Sequence, residues 1–155
     1  METYTVSLFG HRQIDNPCQI EQQLEKIIRQ LLKRPEYIEF LIGRNGDFDI
    51  LAASVIKRCR RAVGAHNSTM ILVLPHETAE LRHNTQALQD YYGEVELCQA
   101  AAAVHYKQAL QVRNRHMADR SDLVIFCVSR HGGAYQTMQY AAQQNIPYIN
   151  LAQAD

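Results

Sequence analysis

The 155-residue chain has no surplus of charge of either sign, because its 16 lysine and arginine residues equal its 16 aspartate and glutamate residues in number. Proteins that bind nucleic acid in general, or an anionic membrane, usually carry a basic surplus. The charge balance therefore predicts that neither is a partner. The chain also lacks an apolar run long enough to cross a bilayer, so we expect a protein that does not span a membrane.

Closely spaced cysteines and histidines are absent as well. The sequence contains no Cys-x-x-Cys, His-x-x-x-His or His-Glu-x-x-His pattern, although it has four cysteines and seven histidines. Such patterns mark redox and metal sites, so we expect neither a metal nor another cofactor. The apolar run at residues 6–9 is too short for a secretory signal. Dispersed free thiols then predict a cytoplasmic protein.

Strand and helix patterns alternate along most of the chain. Apolar, β-rich segments predict buried strands over residues 3–9, 37–42, 70–74, 123–128 and 147–151, and a short or edge strand over residues 94–98. Helical spacing predicts helices over residues 17–34, 100–118 and 134–144, and one that follows Asp47 or Asp49 and stops at Gly64, while residues 76–93 hold one short helix or none. This alternation predicts an α/β Rossmann-like three-layer sandwich with a mostly parallel sheet, in a single domain over residues 1–155.

Particular residues mark the ends of the predicted elements. Asn16 is expected to cap the first helix, with Pro17 at its first position, where the missing N–H is tolerated. Asp47 or Asp49 is expected to cap the second helix, and Gly64 to end it. In the helix over residues 100–118, the spacing predicts one face that carries Tyr106, Leu110 and Met117.

Three predicted strands end in loops that combine glycine with a cation. The loops are Gly10-His11-Arg12, Gly43-Arg44-Asn45-Gly46 and Ser129-Arg130-His131-Gly132-Gly133. Ligands of open parallel sheets bind beyond the carboxyl ends of the strands. Glycine lets the backbone approach a phosphate, and arginine offers it a forked donor. We therefore predict an anion pocket into which Arg12, Arg44 and Arg113 converge.

The helix that follows Gly132-Gly133 should hold the anion, because a helix N-terminus presents backbone N–H groups without intrahelical acceptors. An anion is expected over residues 133–136. In the same pocket, Arg113, Gly132, Gly133 and Thr137 would hold phosphate. The facing wall would be formed by Gly10, Arg12, Gly43, Arg44 and Gly46.

Other residues near these loops allow two interpretations each. Tyr135 and Phe48 either stack on a base or fill the core. His11 is either an acid–base group or the partner of a hydrogen bond at the strand end. Asn114 is expected to form a hydrogen bond with the neighbouring loop. Asp47, Asp49 and Asp122 are either carboxylates of the pocket or residues that accept local backbone N–H bonds.

Several of these motifs resemble the SLOG superfamily. They are Gly10-His11-Arg12, Gly43-x-x-Gly46-x-x-Asp49, Arg113-Asn114-x-x-Met117, Ser121-Asp122 and Gly132-Gly133-x₃-Thr137. This Rossmann-like group includes the DNA-processing Smf/DprA proteins, the lonely-guy (LOG) phosphoribohydrolases and small bacterial nucleotide-sensing proteins. The chain is most similar to small stand-alone bacterial members. The resemblance implies a nucleotide-binding fold and a homo-oligomer formed through helices beside the pocket.

The chain departs from the LOG enzymes where their chemistry occurs. Their glycine motif resembles Pro-Gly-Gly-x-Gly-Thr-x-x-Glu. Its closing glutamate, and the arginine of the preceding Arg-Asn/Lys-x-x-Met helix, assist N-glycosidic cleavage. Here Arg113 occupies the arginine position, whereas the glutamate position holds Gln139 or Tyr140, depending on the alignment. Neither residue supplies a carboxylate to stabilise positive charge on the ribose. Gln139 would instead form a hydrogen bond with a ribose hydroxyl.

These observations favour a protein that binds or senses a small-molecule nucleotide or an ADP-ribose derivative. The first alternative is a nucleoside 5′-monophosphate N-glycosidase that uses Arg113 and a carboxylate that the sequence does not identify. The second is an oligomeric interaction module with a vestigial pocket. The absent glutamate favours the binding protein over the enzyme.

Overall fold

Residues 2–152 are described by a computed structural model and form six strands and six helices. In chain order they are β1 (Thr3–Gly10), α1 (Pro17–Leu31), β2 (Tyr37–Ile42), α2 (Asp47–Val63), β3 (Ser68–Leu74), α3 (Ala79–Tyr92), β4 (Gly93–Leu97), α4 (Gln99–Ala102), α5 (Tyr106–Asp119), β5 (Leu123–Cys127), α6 (Gly133–Gln143) and β6 (Tyr148–Asn150). None of these helices is long and apolar enough to cross a membrane.

All six strands lie in one parallel sheet with the order β4-β3-β2-β1-β5-β6. The chain first builds outward from β1 to β4 and then returns to place β5 on the free side of β1. The strand order therefore reverses between β1 and β5. Such a switch point opens a crevice at the carboxyl ends of the two strands, because the loops that leave them run to opposite faces of the sheet.

Helices cover both faces of the sheet. Residues of α1, α2 and α3 pack against one face, where Val6 and Leu8 of β1 point, and residues of α4, α5 and α6 pack against the other, where Phe9 points. Alternate residues of a strand point to opposite faces, so the central strands contribute to both layers of core. The predicted three-layer α/β sandwich with a parallel sheet is thereby confirmed.

Two predicted helical segments differ from the structure. Residues 76–93, predicted to hold one short helix or none, contain the 14-residue helix α3, whose start is capped by the Thr78 side chain and which has one non-helical residue at Asn84. The helix predicted over residues 100–118 is two helices, because the Nδ1 atom of His105 accepts the N–H of Lys107 and starts α5 anew. Tyr106, predicted to lie on an apolar face, is 70% exposed.

The structure agrees with some of the predicted helix ends and corrects others. Asn16 precedes α1, yet it adopts a left-handed backbone (φ 55°) and its side chain accepts no capping hydrogen bond from the helix. The prediction that Asp47 or Asp49 caps α2 is wrong, because both lie inside its first turn and Gly46 is the N-cap; Asp49 instead accepts the backbone N–H of Asn45 at 2.9 Å, ahead of the helix. Gly64 ends α2 with a φ of 94°, a conformation that favours glycine.

The end of β1 depends on a close approach between Gly10 and α2. A Cβ atom on Gly10 would overlap the fully buried ring of Phe48, whereas one on Gly133 would meet only the mobile end of the Gln111 side chain at 3.3 Å. We therefore expect Gly10→Ala to lower the free energy of unfolding by about 1–3 kcal/mol, through overpacking. Gly133→Ala is the matched control and should change it by less than about 1 kcal/mol. Urea unfolding measures both, and equal effects would contradict this packing.

Candidate functional site

A cavity of about 280 Å³ lies at the crevice between the carboxyl ends of β1 and β5. It also reaches the loop after β2 and the middle of α5. Its lining is formed by Phe9, Gly10, His11, Arg12, Gly43, Asn45, Asp49, Leu110, Arg113, Asn114, Arg130, Gly132, Gly133 and Ala134. We call this space the switch cavity. The predicted pocket and the switch cavity occupy the same edge of the sheet.

The guanidinium of Arg113 forms the inner wall of the switch cavity and is 2% exposed. Its Nη1 atom donates to the carbonyl of Val73 at 3.0 Å, while Nε and Nη2 donate to Oδ1 of Asn114 at 3.0 and 2.9 Å. These bonds use three of its five N–H groups. Within residues 2–152, the structure shows no hydrogen-bond acceptor for the other two.

Gly43 makes the position of Arg113 possible. A Cβ atom at residue 43 would lie 2.8 Å from Nη1 of Arg113, closer than side chains pack. Similarly, a Cβ atom on Gly46 would overlap the backbone of Arg12, whose carbonyl accepts the N–H of Asp47 at 2.8 Å. Both glycines were predicted to admit a phosphate. In the structure they instead leave room for the Arg113 guanidinium and for the backbone of Arg12, and both arginines line the cavity.

Asp49 brings a buried carboxylate to the same cavity and is 8% exposed. It lies in the first turn of α2, on the face of the sheet opposite to the helix that carries Arg113, so the two side chains reach the cavity from opposite faces of the sheet. Burial raises the pKa of Asp49, while the Asn45 N–H and the charge of Arg113 act in the opposite direction. Burial likewise lowers the pKa of Arg113, which Asp49 partly offsets.

His11 joins the two loops that border the cavity. Its Nε2 atom accepts the backbone N–H groups of Ser129 at 3.0 Å and Arg130 at 3.3 Å. Burial first, and then the charge of Arg130, lowers the pKa of His11. A ring that accepts at Nε2 is neutral and carries its proton on Nδ1. Of the two interpretations of His11, the structure shows the hydrogen bond at the strand end.

The open side of the cavity is cationic. Arg12 and Arg130 are both exposed and, with Arg113, give the lining three arginines against the single carboxylate of Asp49. On the same side α6 begins at Gly133, where the first N–H groups of a helix have no intrahelical acceptors. A Cβ atom on Gly132 would have no neighbour within 4 Å, so the approach to this helix start is open. Charge and backbone donors together suit an anion.

The structure brings together eight of the thirteen residues predicted to contact a ligand. The eight that line the switch cavity are Gly10, His11, Arg12, Gly43, Arg113, Asn114, Gly132 and Gly133. The predicted convergence of Arg12, Arg44 and Arg113 is therefore incomplete, because Arg44 lies outside the lining. Its guanidinium donates to Glu80 at 2.9 Å and to the hydroxyl of Tyr92 at 3.0 Å, which ties it to α3.

The remaining predicted residues lie within α6 or behind the loops. Thr137 is fully buried and its hydroxyl donates to the carbonyl of Gly133 at 3.0 Å. Gln139 donates to the hydroxyl of Tyr135 at 3.2 Å, and the Tyr135 ring packs against His131. With Gly46, these residues do not line the switch cavity. Phe48, which was expected either to stack on a base or to fill the core, is a fully buried core residue.

Three polar residues that were not among the thirteen predicted ligand contacts also line the cavity: Asn45, Asp49 and Arg130. Among the aspartates considered, Asp122 accepts the N–H of Thr5 at 2.8 Å near the amino end of β1, and Asp47 is exposed outside the lining. Asp49 is thus the carboxylate that reaches the cavity. In the sequence, the Gly43-x-x-Gly46-x-x-Asp49 spacing could have indicated Asp49 as a cavity residue. Arg130 could have been found from its position in the third glycine loop. In residues 2–152, no group of three metal-ligating side chains occurs.

Comparison with solved structures shows similarity to DNA processing protein A from Helicobacter pylori, a protein described for its unique mode of binding single-stranded DNA. The two chains superpose with a TM-score of 0.64 at 18% sequence identity, over 97% of this chain and 66% of that one. This chain thus spans just under two-thirds of the length of its structural relative. At this identity the likeness concerns the fold, and it agrees with the Smf/DprA-like fold that the motifs resemble. No protein-family model and no curated protein matches the sequence.

This similarity corrects the prediction that nucleic acid is not a partner. The prediction used a net charge of zero, whereas a protein of similar fold binds single-stranded DNA. Net charge sums over the whole surface, but a phosphate responds to the charges within about one Debye length, roughly 8–10 Å. Three arginines around one cavity form such a local field, so the charge balance excludes nothing at this site.

The buried carboxylate of Asp49 has an expected effect on stability. A raised folded-state pKa means that the fold disfavours the charged form of Asp49. The resulting loss of folding stability is absent below the ordinary pKa of about 3.8 and complete above the raised pKa. We therefore expect Asp49→Asn to increase the melting temperature at pH 7 and to increase it less at pH 4. Calorimetry at the two pH values measures this. A variant less stable than the wild type at pH 7 would show that attraction to Arg113 outweighs burial.

The loop contact of His11 predicts a second pH dependence. Because the folded-state pKa of His11 is lowered, the fold favours the neutral ring, which stabilises the protein. This stabilisation is complete above the ordinary pKa of about 6.5 and is lost as the pH falls through the lowered pKa. Between about pH 7.5 and pH 5, the melting temperature of His11→Gln should fall less steeply than that of the wild type. His76→Gln, at an exposed histidine, is the control and should keep the wild-type slope. Parallel slopes for all three proteins would disprove the contact.

Proposed function

We propose that the switch cavity binds the phosphate of a nucleotide. The observation that supports this most directly is that a buried arginine, two exposed arginines and an open helix start surround one space. Arg113 would act as the forked donor at the inner wall. Arg12 and Arg130 would neutralise the outer phosphate oxygens, and the N–H groups at the start of α6 would complete the shell.

The ligand class follows from this chemistry and from the fold. A nucleotide can arrive free in solution or as part of a single strand, and the phosphate chemistry is the same for both. The similarity to DNA processing protein A supports keeping the single strand within the proposal. The SLOG-like motifs support a role in sensing a free nucleotide or an ADP-ribose derivative.

Arg12→Ala tests this proposal without disturbing the core, because Arg12 is exposed and its backbone, not its side chain, joins the loop to α2. The loss of one charge-assisted hydrogen bond should weaken nucleoside 5′-monophosphate binding by about 1.5–3 kcal/mol, or roughly tenfold to a hundredfold. Isothermal titration calorimetry with a panel of nucleoside monophosphates and a 5′-phosphorylated oligonucleotide measures the change.

Arg61→Ala provides the matched control for charge. Arg61 is an exposed arginine in the last turn of α2, whereas the switch cavity meets the first turn of that helix. Its replacement removes the same charge and should leave binding unchanged. Equal weakening by both variants would show a diffuse charge effect, and the proposed site would then be wrong. If the wild type binds neither monophosphate nor oligonucleotide, the proposed function itself is overturned.

A second candidate function is hydrolysis of the N-glycosidic bond of a nucleoside monophosphate. The observation that favours it is Asp49, a buried carboxylate that lines the cavity with Arg113 and would take the role of the glutamate that the sequence lacks near Gln139. In such a reaction the Asp49 carboxylate would stabilise positive charge on the ribose while Arg113 holds the phosphate. Water would supply the hydroxyl group to the sugar, and the base would leave with a proton.

Chromatography of nucleoside monophosphates after incubation with the protein distinguishes the two candidates. If the protein is a hydrolase, free base and ribose 5-phosphate appear in equal amounts. Asp49→Asn should then abolish their release while it leaves nucleotide binding within about threefold of the wild type, because the amide keeps the size of the side chain. Binding without release by the wild type would contradict the hydrolase and leave the binding protein.

A further inference from the structure

A second cavity, of about 320 Å³, adjoins the switch cavity on the side of α1. It is lined by residues of the β1–α1 loop, the first two turns of α1 and the segments after β5 and β6. The two cavities share His11 and Arg130 in their linings, and no other residue is common to both. We call the second space the amide cavity, after the side chains described below.

His11 and Arg130 form the boundary between the two cavities. His11 accepts the N–H groups of Ser129 and Arg130, and Nη2 of Arg130 donates to the carbonyl of Gln13 at 2.7 Å. These bonds clamp the β1–α1 loop to the β5–α6 loop directly between the two spaces. A ligand that lies across this clamp would touch both cavities at once.

The chemistry of the amide cavity differs from that of the switch cavity. Four of its lining residues carry side-chain amides: Gln13, Asn16, Gln19 and Gln23. Its apolar lining comes from Ile14, Ile20, Cys127, Leu151 and Ala152. Its charged groups are Asp15 and the shared Arg130, so arginine does not outnumber carboxylate there as it does in the switch cavity. Burial raises the pKa of Cys127 to about 11, so its thiol stays neutral at physiological pH.

Amide groups over an apolar floor match a flat, uncharged ring whose edges carry hydrogen-bond donors and acceptors. Each amide supplies both a donor and an acceptor, and the apolar floor contacts the face of the ring. A second phosphate fits less well, because amides add no positive charge and Asp15 would repel it. Each cavity is also near the lower end of the size range of ligand pockets, roughly 300–1,000 Å³, so the two adjoining spaces suit one ligand with two parts.

We propose that the two cavities form one bipartite nucleotide site, in which the phosphate lies in the switch cavity, the sugar crosses the His11–Arg130 clamp, and the base lies in the amide cavity. This inference rests on the proposed function. It adds that the protein binds the base as well as the phosphate, and that Gln19 and Gln23 form hydrogen bonds with the edge of the base.

Gln19 and Gln23 are suitable positions for a test. They are four residues apart on α1 and so share one face, and alanine is favourable in a helix. The double variant Gln19→Ala/Gln23→Ala should bind the preferred nucleoside 5′-monophosphate about tenfold more weakly, as the loss of two neutral hydrogen bonds predicts. Its affinity for ribose 5-phosphate, which lacks a base, should be unchanged. Gln22→Ala, an exposed glutamine of the same helix outside both linings, is the control and should bind both probes like the wild type.

Isothermal titration calorimetry with both probes gives outcomes that separate this inference from the proposed function. If the wild type binds ribose 5-phosphate as tightly as the monophosphate, or if the double variant weakens both probes or neither, the phosphate site stands and the base site is overturned. If the wild type binds neither probe and no 5′-phosphorylated oligonucleotide, both proposals fail. Oligonucleotide binding that the double variant weakens in the same way supports the base site with a strand as the source of the nucleotide.

Discussion

The arrangement of the site depends on the burial of one guanidinium, that of Arg113, at the carboxyl edge of the sheet. Its hydrogen bond to Val73 and its contact with Gly43 join α5 to the ends of β3 and β2. A buried cation requires hydrogen-bond acceptors, which Val73 and Asn114 supply, and the charge of Asp49 partly offsets the effect of burial on Arg113. Because Asp49 belongs to a helix on the opposite face of the sheet, each helical layer contributes one buried ionisable side chain to the lining of the switch cavity.

A partly satisfied buried cation also provides a basis for binding. Arg113 lines the cavity and is fixed by three hydrogen bonds, so the proposed phosphate would bind it with little loss of side-chain entropy. Arg12 and Arg130 are exposed and add attraction that salt would screen. The amide cavity beyond the His11–Arg130 clamp, where Asp15 balances the shared Arg130, would add hydrogen bonding without a surplus of positive charge. The proposed site therefore separates recognition of an anion from recognition of an uncharged ring.

The fold was predictable from the sequence, whereas the fate of individual site residues depended on tertiary contacts. Apolar strands such as that of Val6 and Leu8 and the glycine loops at strand ends predicted the parallel sheet and the location of the cavity. Arg44 was expected at the cavity, but it is held outside by Glu80 of α3. The sequence did not indicate this contact, because the polar residues 76–93 did not clearly predict that helix. Asp49 has the local pattern of a residue that accepts a backbone N–H at a helix start, and only the folded structure shows that it also lines the cavity.

The central claim is that a nucleotide phosphate binds between the buried Arg113 guanidinium and the start of α6. A crystal structure of the protein with the nucleoside monophosphate that binds most tightly tests this claim most directly. The account predicts phosphate density in the switch cavity, with oxygens in hydrogen-bond contact with Arg113 and with the backbone N–H of Gly133 or Ala134. Phosphate density elsewhere on the protein, with the switch cavity occupied only by water, would contradict the account.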